Sequence, residues 1–352
     1  MGTPRIAVLQ GDQTGQELLV EALRVLDPEV IRAPLEFVNF DLSLANRRRT
    51  RNQVVTEAAG AIRECGFGLK AATVTPEGKD DVGSPNAILR REVDGTVILR
   101  TGRPLPGVAP VGFIQAPIAV VRMATEDAYD AKEWSEGAGD QRVVYRTTFL
   151  SWKNCRATAE FAFLLARKMN AEVFGASKYT ISPVYEALFK KALDEAASQH
   201  PEIKYDPVLV DAAYALIFTR ARRPLVMPAL NRDGDILSDL VMALYGSIAG
   251  AESLILGFDE AMNTRVVVAE APHGTAPSLQ GKNVANPLAM ILAGAGVLSY
   301  MPGEKYTRAA MAVQDACMEA LADGVRTLDL QGTATTSEFT DAVIQRAKKR
   351  LG

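Results

Sequence analysis

The residues that best combine type and spacing for chemistry lie in Asn231-Arg232-Asp233-Gly234-Asp235-Ile236-Leu237-Ser238-Asp239. Gly234 reads as a turn opening a helix at Asp235, and Asp239 follows four residues later on the same helical face. Two carboxylates so placed can share a cation. Their hard oxygens suit Mg²⁺ or Mn²⁺, with coordination positions left for a substrate hydroxyl and carboxylate. A plainer description also fits: an N-terminal aspartate favoured by the helix dipole, with an exposed aspartate one turn on. Taken alone, the plainer description is the stronger.

A second group is cationic. Arg90, Arg100 and Arg103 fall within fourteen residues around a strand ending at Leu99, and Arg122 follows another apolar run. Planar guanidinium forks at strand ends suit a small polyanion; surface pairing with Glu92 and Asp94 is the alternative. The third group is the loop Glu270-Ala271-Pro272-His273-Gly274-Thr275-Ala276-Pro277, directly after an apolar strand. Such a loop can wrap a planar ring and offer backbone groups to phosphates. His273 and His200 are the only histidines, leaving little room for a histidine dyad. A hydrogen-bonded structural histidine is the alternative for His273 and the expectation for His200, which precedes Pro201 at a helix end. The first strand is not followed by Gly-x-Gly-x-x-Gly, so an ordinary Rossmann site is unsupported. Gly281-Lys282-Asn283 lacks the glycine spacing and Ser/Thr of a phosphate-binding loop, which disfavours nucleotide kinase chemistry.

The elements that must position these groups alternate along the chain. Ile6–Leu9 is a short apolar strand, turned at Gly11-Asp12 into a helix over Gly15–Leu26. Buried strands follow at Val97–Leu99, Ile118–Val121, Val173–Gly175, Val208–Val210, Leu225–Met227 and Arg265–Ala269. Helices are expected at Glu57–Glu64, Thr158–Lys168 and Val184–Ser198, from near Asp211, from Asp235, and near Pro287–Tyr300, Tyr306–Gly324 and Ser337–Lys349. That rhythm predicts an α/β fold with a mostly parallel sheet covered on both faces. Asp130–Leu150 breaks the rhythm: polar and glycine-containing, with an alternating tail, it reads as an antiparallel ribbon. Either an arm that pairs with a second subunit or a plain surface hairpin fits. Arg47-Arg48-Arg49 with Arg51 has no aromatic interleaving and reads as a solvated loop or a local phosphate contact.

The whole chain excludes several classes of function. With 352 residues it can hold two domains, and 48% apolar residues suffice for a core. A net charge of −3 creates no field that would recruit nucleic acid or an anionic membrane. The first residues lack the apolar stretch of a signal peptide, and Leu288–Leu298 is too short to span a bilayer. Cys65, Cys155 and Cys317 are isolated, as expected in the reducing cytoplasm.

Taken together, the motifs resemble the isocitrate and 3-isopropylmalate dehydrogenase family of β-decarboxylating dehydrogenases. The resemblance runs from Gly11-Asp12-Gln13-Thr14-Gly15 to Gly332-Thr333-Ala334-Thr335-Thr336-Ser337-Glu338-Phe339, nearly the whole chain. It implies two parallel-sheet-based lobes: a large cofactor-side domain of residues 1–95 and 246–352, and a smaller domain, 96–245. The smaller domain would carry the metal and catalytic residues and a dimer arm at about 130–150. A homodimer with shared active sites follows from the resemblance, as does a nicotinamide cofactor with Mg²⁺ or Mn²⁺. Arg90, Arg100 and Arg122 match the arginines that hold substrate carboxylates. Tyr129 and Lys178 match the catalytic tyrosine and lysine, the lysine reaching the neighbouring subunit's site. Asp211, Asp235 and Asp239 match the metal aspartates. Thr75, Glu270, His273, Gly274, Thr275, Ala276, Pro277, Ser278 and Asn286 match the cofactor-binding positions.

Departures from the family pattern concern the substrate's far end. Ser84-Pro85-Asn86 resembles the Ser-x-Asn with which isocitrate enzymes hold a third carboxylate. This favours an isocitrate-like acid, with 3-isopropylmalate, homoisocitrate, tartrate or a phosphonate analogue as alternatives. Asp94-Gly95-Thr96, Arg100-Thr101-Gly102-Arg103 and Thr180 all depart from the family's usual residues and bracket the pocket. Ser278-Leu279 and Leu328 offer no cation for a 2′-phosphate, which leans toward NAD over NADP. A non-catalytic regulatory subunit would be expected to lack one of Tyr129, Lys178, Asp211, Asp235 or Asp239, and all five are present.

Overall fold

The computed structural model describes residues 2–78, 80–112 and 114–352. The chain divides into two units: Met1–Gly95 with Leu99–Gly112 and Val241–Gly352, and Thr96–Ile98 with Phe113–Leu240. The stretches 99–112 and 241–245 thus group with the first unit, inside the span expected for the smaller domain.

In the first unit, β1 (Arg5–Gln10) leads into α1 (Gln13–Val25), followed by α2 (Pro28–Ile31), β2 (Glu36–Asp41), α3 (Leu44–Thr50), α4 (Gln53–Cys65), β3 (Phe67–Lys70) and α5 (Pro85–Glu92). Strand β4 (Val97–Gly102) carries the chain across the division. The second unit holds β5 (Ile118–Met123), β6 (Lys132–Glu136), β7 (Val143–Thr147), α6 (Trp152–Met169), β8 (Glu172–Ala176), α7 (Tyr185–Gln199), β9 (Tyr205–Leu209), α8 (Val210–Arg220), β10 (Leu225–Ala229) and most of α9 (Asn231–Leu244). The first unit is completed by β11 (Glu252–Phe258), β12 (Thr264–Glu270), α10 (Leu288–Tyr300), α11 (Glu304–Ala322) and α12 (Thr336–Leu351).

The first unit's sheet runs β2-β1-β3-β12-β11-β4. Its β1–β2, β1–β3 and β3–β12 pairs are parallel, whereas β11 and β12 form an antiparallel hairpin. The second unit's strands follow β5-β10-β8-β9, all parallel. Parallel strands buried on both faces read as continuous apolar runs, as Ile6–Leu9 does. Residues Leu288–Leu298 of α10 are buried on every side. The run too short for a bilayer is therefore the first unit's central core helix. Its glycines permit close packing: a Cβ on Gly294 would stand 2.8 Å from Leu26, and one on Gly296 3.0 Å from Leu254. Among the described residues no helix is long and apolar enough to cross a membrane.

The expected ribbon is present: β6 and β7 pair antiparallel, Lys132 with Thr147 through Glu136 with Val143. Every residue of both strands is exposed, and Trp134 stacks on Tyr145 at 5.1 Å between ring centroids.

Candidate active site

In the second unit, Tyr129 and Asp235 meet. Tyr129 sits on a single 3₁₀ turn, Asp127–Asp130, and its hydroxyl donates to Asp235 Oδ2 at 2.8 Å. The other oxygen, Oδ1, accepts from Arg122 Nη1. Arg122 is only 1% exposed, and its Nε and Nη2 donate to Asn231 Oδ1 at 3.0 and 2.8 Å. Its guanidinium also lies 5.5 Å from the Tyr129 ring centroid. Burial, reinforced by the Asp235 hydrogen bond, raises the Tyr129 pKa above the ordinary phenol value, so the hydroxyl keeps its proton.

Helix α9 begins at Asn231, so Gly234 is helical and opens no turn, contrary to expectation. Its lack of a side chain serves packing: a Cβ there would stand 2.7 Å from both Cβ and Cγ of Arg122. Asp235 accordingly lies in the second helical turn rather than at the cap, which removes the dipole-based description of it. Asp239 follows one turn on.

The Tyr129 turn is pinned by its neighbour. Asp127, 7% exposed and at φ 56°, accepts from Arg232 N at 2.9 Å and from the Tyr185 hydroxyl at 2.9 Å. The start of α9, the start of α7 and the tyrosine turn are tied by one carboxylate.

Lys178 and Asp211 form a separate pair in this unit, Nζ to Oδ1 at 2.6 Å, with 33% and 62% of the side chains exposed. The lysine's hydrogen bond holds the Asp211 carboxyl below the usual carboxylate range. The Lys178 backbone N–H donates to Glu186 Oε2, tying its loop to α7. Among the described residues no three His, Cys, Asp or Glu side chains gather as a group able to hold a metal ion. The sequence placed Asp211 with Asp235 and Asp239; within one chain, Asp211 instead keeps company with Lys178.

In the first unit a different cluster forms at the carboxyl ends of β3 and β12. Lys70 Nζ donates to Glu270 Oε2 at 3.1 Å and to the Ala71 carbonyl at 3.0 Å. Burial alone would raise the Glu270 pKa. The Lys70 charge foremost, then Arg90 and Arg100, outweigh burial and hold it below its ordinary value. Three cations thus act on one carboxylate. Sequence reasoning found Arg90, Arg100 and Glu270 but missed Lys70; its signal was a lysine ending an otherwise apolar strand. Arg103, grouped with these arginines by sequence, pairs instead with Glu252 at 2.6 Å.

Ser84 caps α5, its Oγ accepting from Asn86 N at 3.4 Å. Asn86 Oδ1 is buried without a hydrogen-bond partner, as is His273 Nε2. Buried polar atoms are nearly always paired, so these two stand out. Burial lowers the His273 pKa, which keeps the ring neutral, while its Nδ1 lies 3.0 Å from Gly274 O. The loop of His273, Gly274, Thr275, Ala276, Pro277 and Ser278 is docked on α1: Thr14 N donates to Thr275 O at 3.1 Å and Thr14 Oγ to Ala276 O at 2.8 Å. Ala276 holds φ 42°, a strained conformation for a residue with a Cβ. Gly11 and Gly15 allow the approach of the β1–α1 turn to Ala72, where added Cβ atoms would stand 2.2 and 2.8 Å away. Thr75 follows Val74 on the neighbouring segment. Asn286 accepts from Leu288 N at 3.0 Å at the start of α10 and donates to Asp329 at 3.0 Å, beside the 72%-exposed Leu328.

His200 is the structural histidine expected: 7% exposed, between Glu160 at 2.7 Å and Arg167 at 2.7 Å, stacked on Phe163.

The family model for isocitrate/isopropylmalate dehydrogenase matches residues 5–343. An isocitrate/homoisocitrate dehydrogenase of Thermus thermophilus is 34% identical over 98% of this chain and 98% of its own. A 3-isopropylmalate dehydrogenase of Methanothermobacter thermautotrophicus is 30% identical over 96% and 97%. The crystal structure of isocitrate dehydrogenase from Methylococcus capsulatus shares the fold at TM-score 0.86 and 24% identity, covering 98% of this chain and 99% of that one. The chain belongs to the isocitrate/isopropylmalate dehydrogenase family, whose members are decarboxylating hydroxy-acid dehydrogenases.

Proposed function

We propose that this protein oxidises and decarboxylates an isocitrate-like 2-hydroxy acid with a β-carboxylate, reducing a nicotinamide cofactor, with NAD favoured over NADP. The observation that carries the reading is Asp235, whose two oxygens meet an exposed tyrosine hydroxyl and a buried arginine. A proton donor, a carboxylate-binding cation and a cation-binding carboxylate are thereby gathered at one point.

Mg²⁺ or Mn²⁺ would be held by Asp235, Asp239 and Asp211, supplying a Lewis acid for the substrate's hydroxyl oxygen. The donor set fits a hard cation, because all three side chains offer carboxylate oxygens. Arg90, Arg100 and Arg122 hold the substrate's carboxylates. Ser84 and Asn86 hold the substrate's third carboxylate. Lys178 takes the hydroxyl proton with Asp211 beside it. After CO₂ leaves, Tyr129 delivers a proton to the vacated carbon, a role that its raised pKa suits at neutral pH. Thr75, Glu270, His273 to Ser278 and Asn286 hold the cofactor, and Leu328 and Ser278 bring no cation for a 2′-phosphate.

We further propose a homodimer in which Lys178 and Asp211 serve the partner's site as one ion-paired element. The exposure of the pair, 33% and 62% at the side chains, supports this. So does the fully exposed ribbon, because a two-stranded hairpin bearing Trp134, Val143, Val144 and Tyr145 is marginal on its own. The three cysteines are free, which suits the cytoplasm.

The test is a panel of isocitrate, homoisocitrate, 3-isopropylmalate and tartrate, each with NAD and NADP and with Mg²⁺ or Mn²⁺. The highest kcat/KM is expected with isocitrate or homoisocitrate. High turnover of 3-isopropylmalate with negligible isocitrate activity would contradict the substrate class.

A further inference from the structure

The basic run Arg47-Arg48-Arg49 does not form a solvated loop: Arg47 is 0% exposed. Its guanidinium is spent on three backbone carbonyls. Nε donates to Leu42 O at 3.0 Å, Nη1 to Gly83 O at 3.1 Å, and Nη2 to Val74 O. Asp12 captures the other backbone group of Val74, its Oδ2 accepting from Val74 N at 2.8 Å, while its Oδ1 accepts from Leu44 N at 2.9 Å. Val74 is therefore held on both its N–H and its C=O. The neighbours of Arg47 act at the other end of the same segment. Arg48 makes a bidentate pair with Asp81, at 3.2 and 2.7 Å, and Asn52 Nδ2 donates to Val82 O at 2.6 Å.

We propose that Arg47, Arg48 and Asn52 form a positioning clamp for substrate recognition. The clamp fixes Gly83 beside Ser84, so that the residues facing the substrate are in place before it binds, and Val74 beside the cofactor-side Thr75. The physical reason for an arginine is its rigid fork, which reaches carbonyls from three separate segments at once. No lysine could satisfy all three with one geometry. A fully buried guanidinium bonded only to carbonyls is costly to desolvate, and burial lowers its pKa first of all. A surface cation would give solubility without that cost, so holding the segment is what the arrangement achieves. Preorganisation of this kind lowers the ordering cost of binding.

The proposal rests on the reading that Ser84 and Asn86 contact the substrate, and the experiment separates the two. Arg48→Ala, Asn52→Ala and Arg47→Lys are compared with Ser84→Ala in the same assay, using isocitrate or the best acid of the panel with saturating Mg²⁺ and cofactor. Arg48→Ala and Asn52→Ala remove exposed or half-buried side chains, so folded protein is expected even if Arg47→Lys is unstable. For Arg48→Ala and Asn52→Ala the clamp predicts a KM for the hydroxy acid raised about tenfold or more, with kcat and the KM for the cofactor changed much less, because small misplacements of binding groups carry large penalties; Arg47→Lys, which also loosens Val74 beside Thr75, should raise both KM values. A purely structural role would lower Tm and leave KM unmoved, and that result overturns the proposal. If Ser84→Ala raises KM while the clamp variants do not, the clamp alone is wrong. If Ser84→Ala and the clamp variants are all silent, both the clamp and the reading of the segment as substrate-facing fall.

Discussion

Two ion pairs of the same chemical kind stand in opposite environments. Lys70 and Glu270 are 2% and 11% exposed at their side chains, at the ends of two parallel-paired strands. Lys178 and Asp211 are 33% and 62% exposed, on a loop and at the first turn of α8. The first pair is completed inside its unit by Arg90 and Arg100, whose charges act on the same carboxylate. For the second, Lys178 is the one charge acting on Asp211 among the described residues, and the pair stands in water, where it contributes little to stability. The difference teaches that one pair is built into the interior of its unit, while the other is exposed, as the proposed role in a partner's site requires.

Breaking each side of that contrast gives effects of different size. The largest concerns the proposed proton donor beside Asp235: Tyr129→Phe is expected to lower the overall turnover by roughly 10²–10⁴-fold, the usual worth of a positioned general acid. Substrate KM should change little, as measured by steady-state kinetics. Next, Lys70→Met leaves Glu270 buried without its main partner and should destabilise the protein by about 3–5 kcal/mol in urea unfolding. The pH sign follows from the depressed Glu270 pKa. The pair's contribution is complete above the unfolded glutamate value of about 4.3 and is lost only as pH falls through the lower folded value. Stability attributable to the pair should therefore be flat from neutral pH down to about 4.3 in the wild type. A loss beginning well above that pH and absent in Lys70→Met would refute it.

A smaller effect is expected at Gly234→Ala, where the new methyl meets Arg122. Overpacking of this kind costs about 1–3 kcal/mol, and displacement of Arg122 should raise substrate KM as well. Smallest in stability, Lys178→Met and Asp211→Asn should each shift unfolding by less than about 1 kcal/mol. Their activity should nevertheless be nearly lost. Mixing inactive Tyr129→Phe with inactive Lys178→Met should restore part of it through hybrid dimers; no recovery after subunit exchange would remove the shared-site proposal.

Much of the fold was legible because parallel strands buried on both faces leave uninterrupted apolar runs, as at Ile6–Leu9 and Ile118–Val121. Less legible were β2, whose residues are half exposed, and β3, which has only four residues. The α9 start was misplaced because Gly234 looks like a turn in sequence. Only the packing of Arg122 against it explains a glycine inside the helix. Arg47 was misread for a related reason. A run of arginines is normally solvated, and the carbonyls that bury this one come from Leu42, Val74 and Gly83, up to 36 residues away. Of the candidate site, residue types and spacing suggested Asp235, Asp239 and the arginines, the resemblance added Asp211, and which aspartate pairs with Lys178 was legible only in the structure.

The central claim, oxidation coupled to decarboxylation, is tested most directly by measuring CO₂ release and reduced nicotinamide together, with isocitrate and Mg²⁺. One CO₂ per reduced nicotinamide is predicted, both signals disappearing when the metal is chelated. Reduced cofactor formed without CO₂, or undiminished by chelation, would contradict the account.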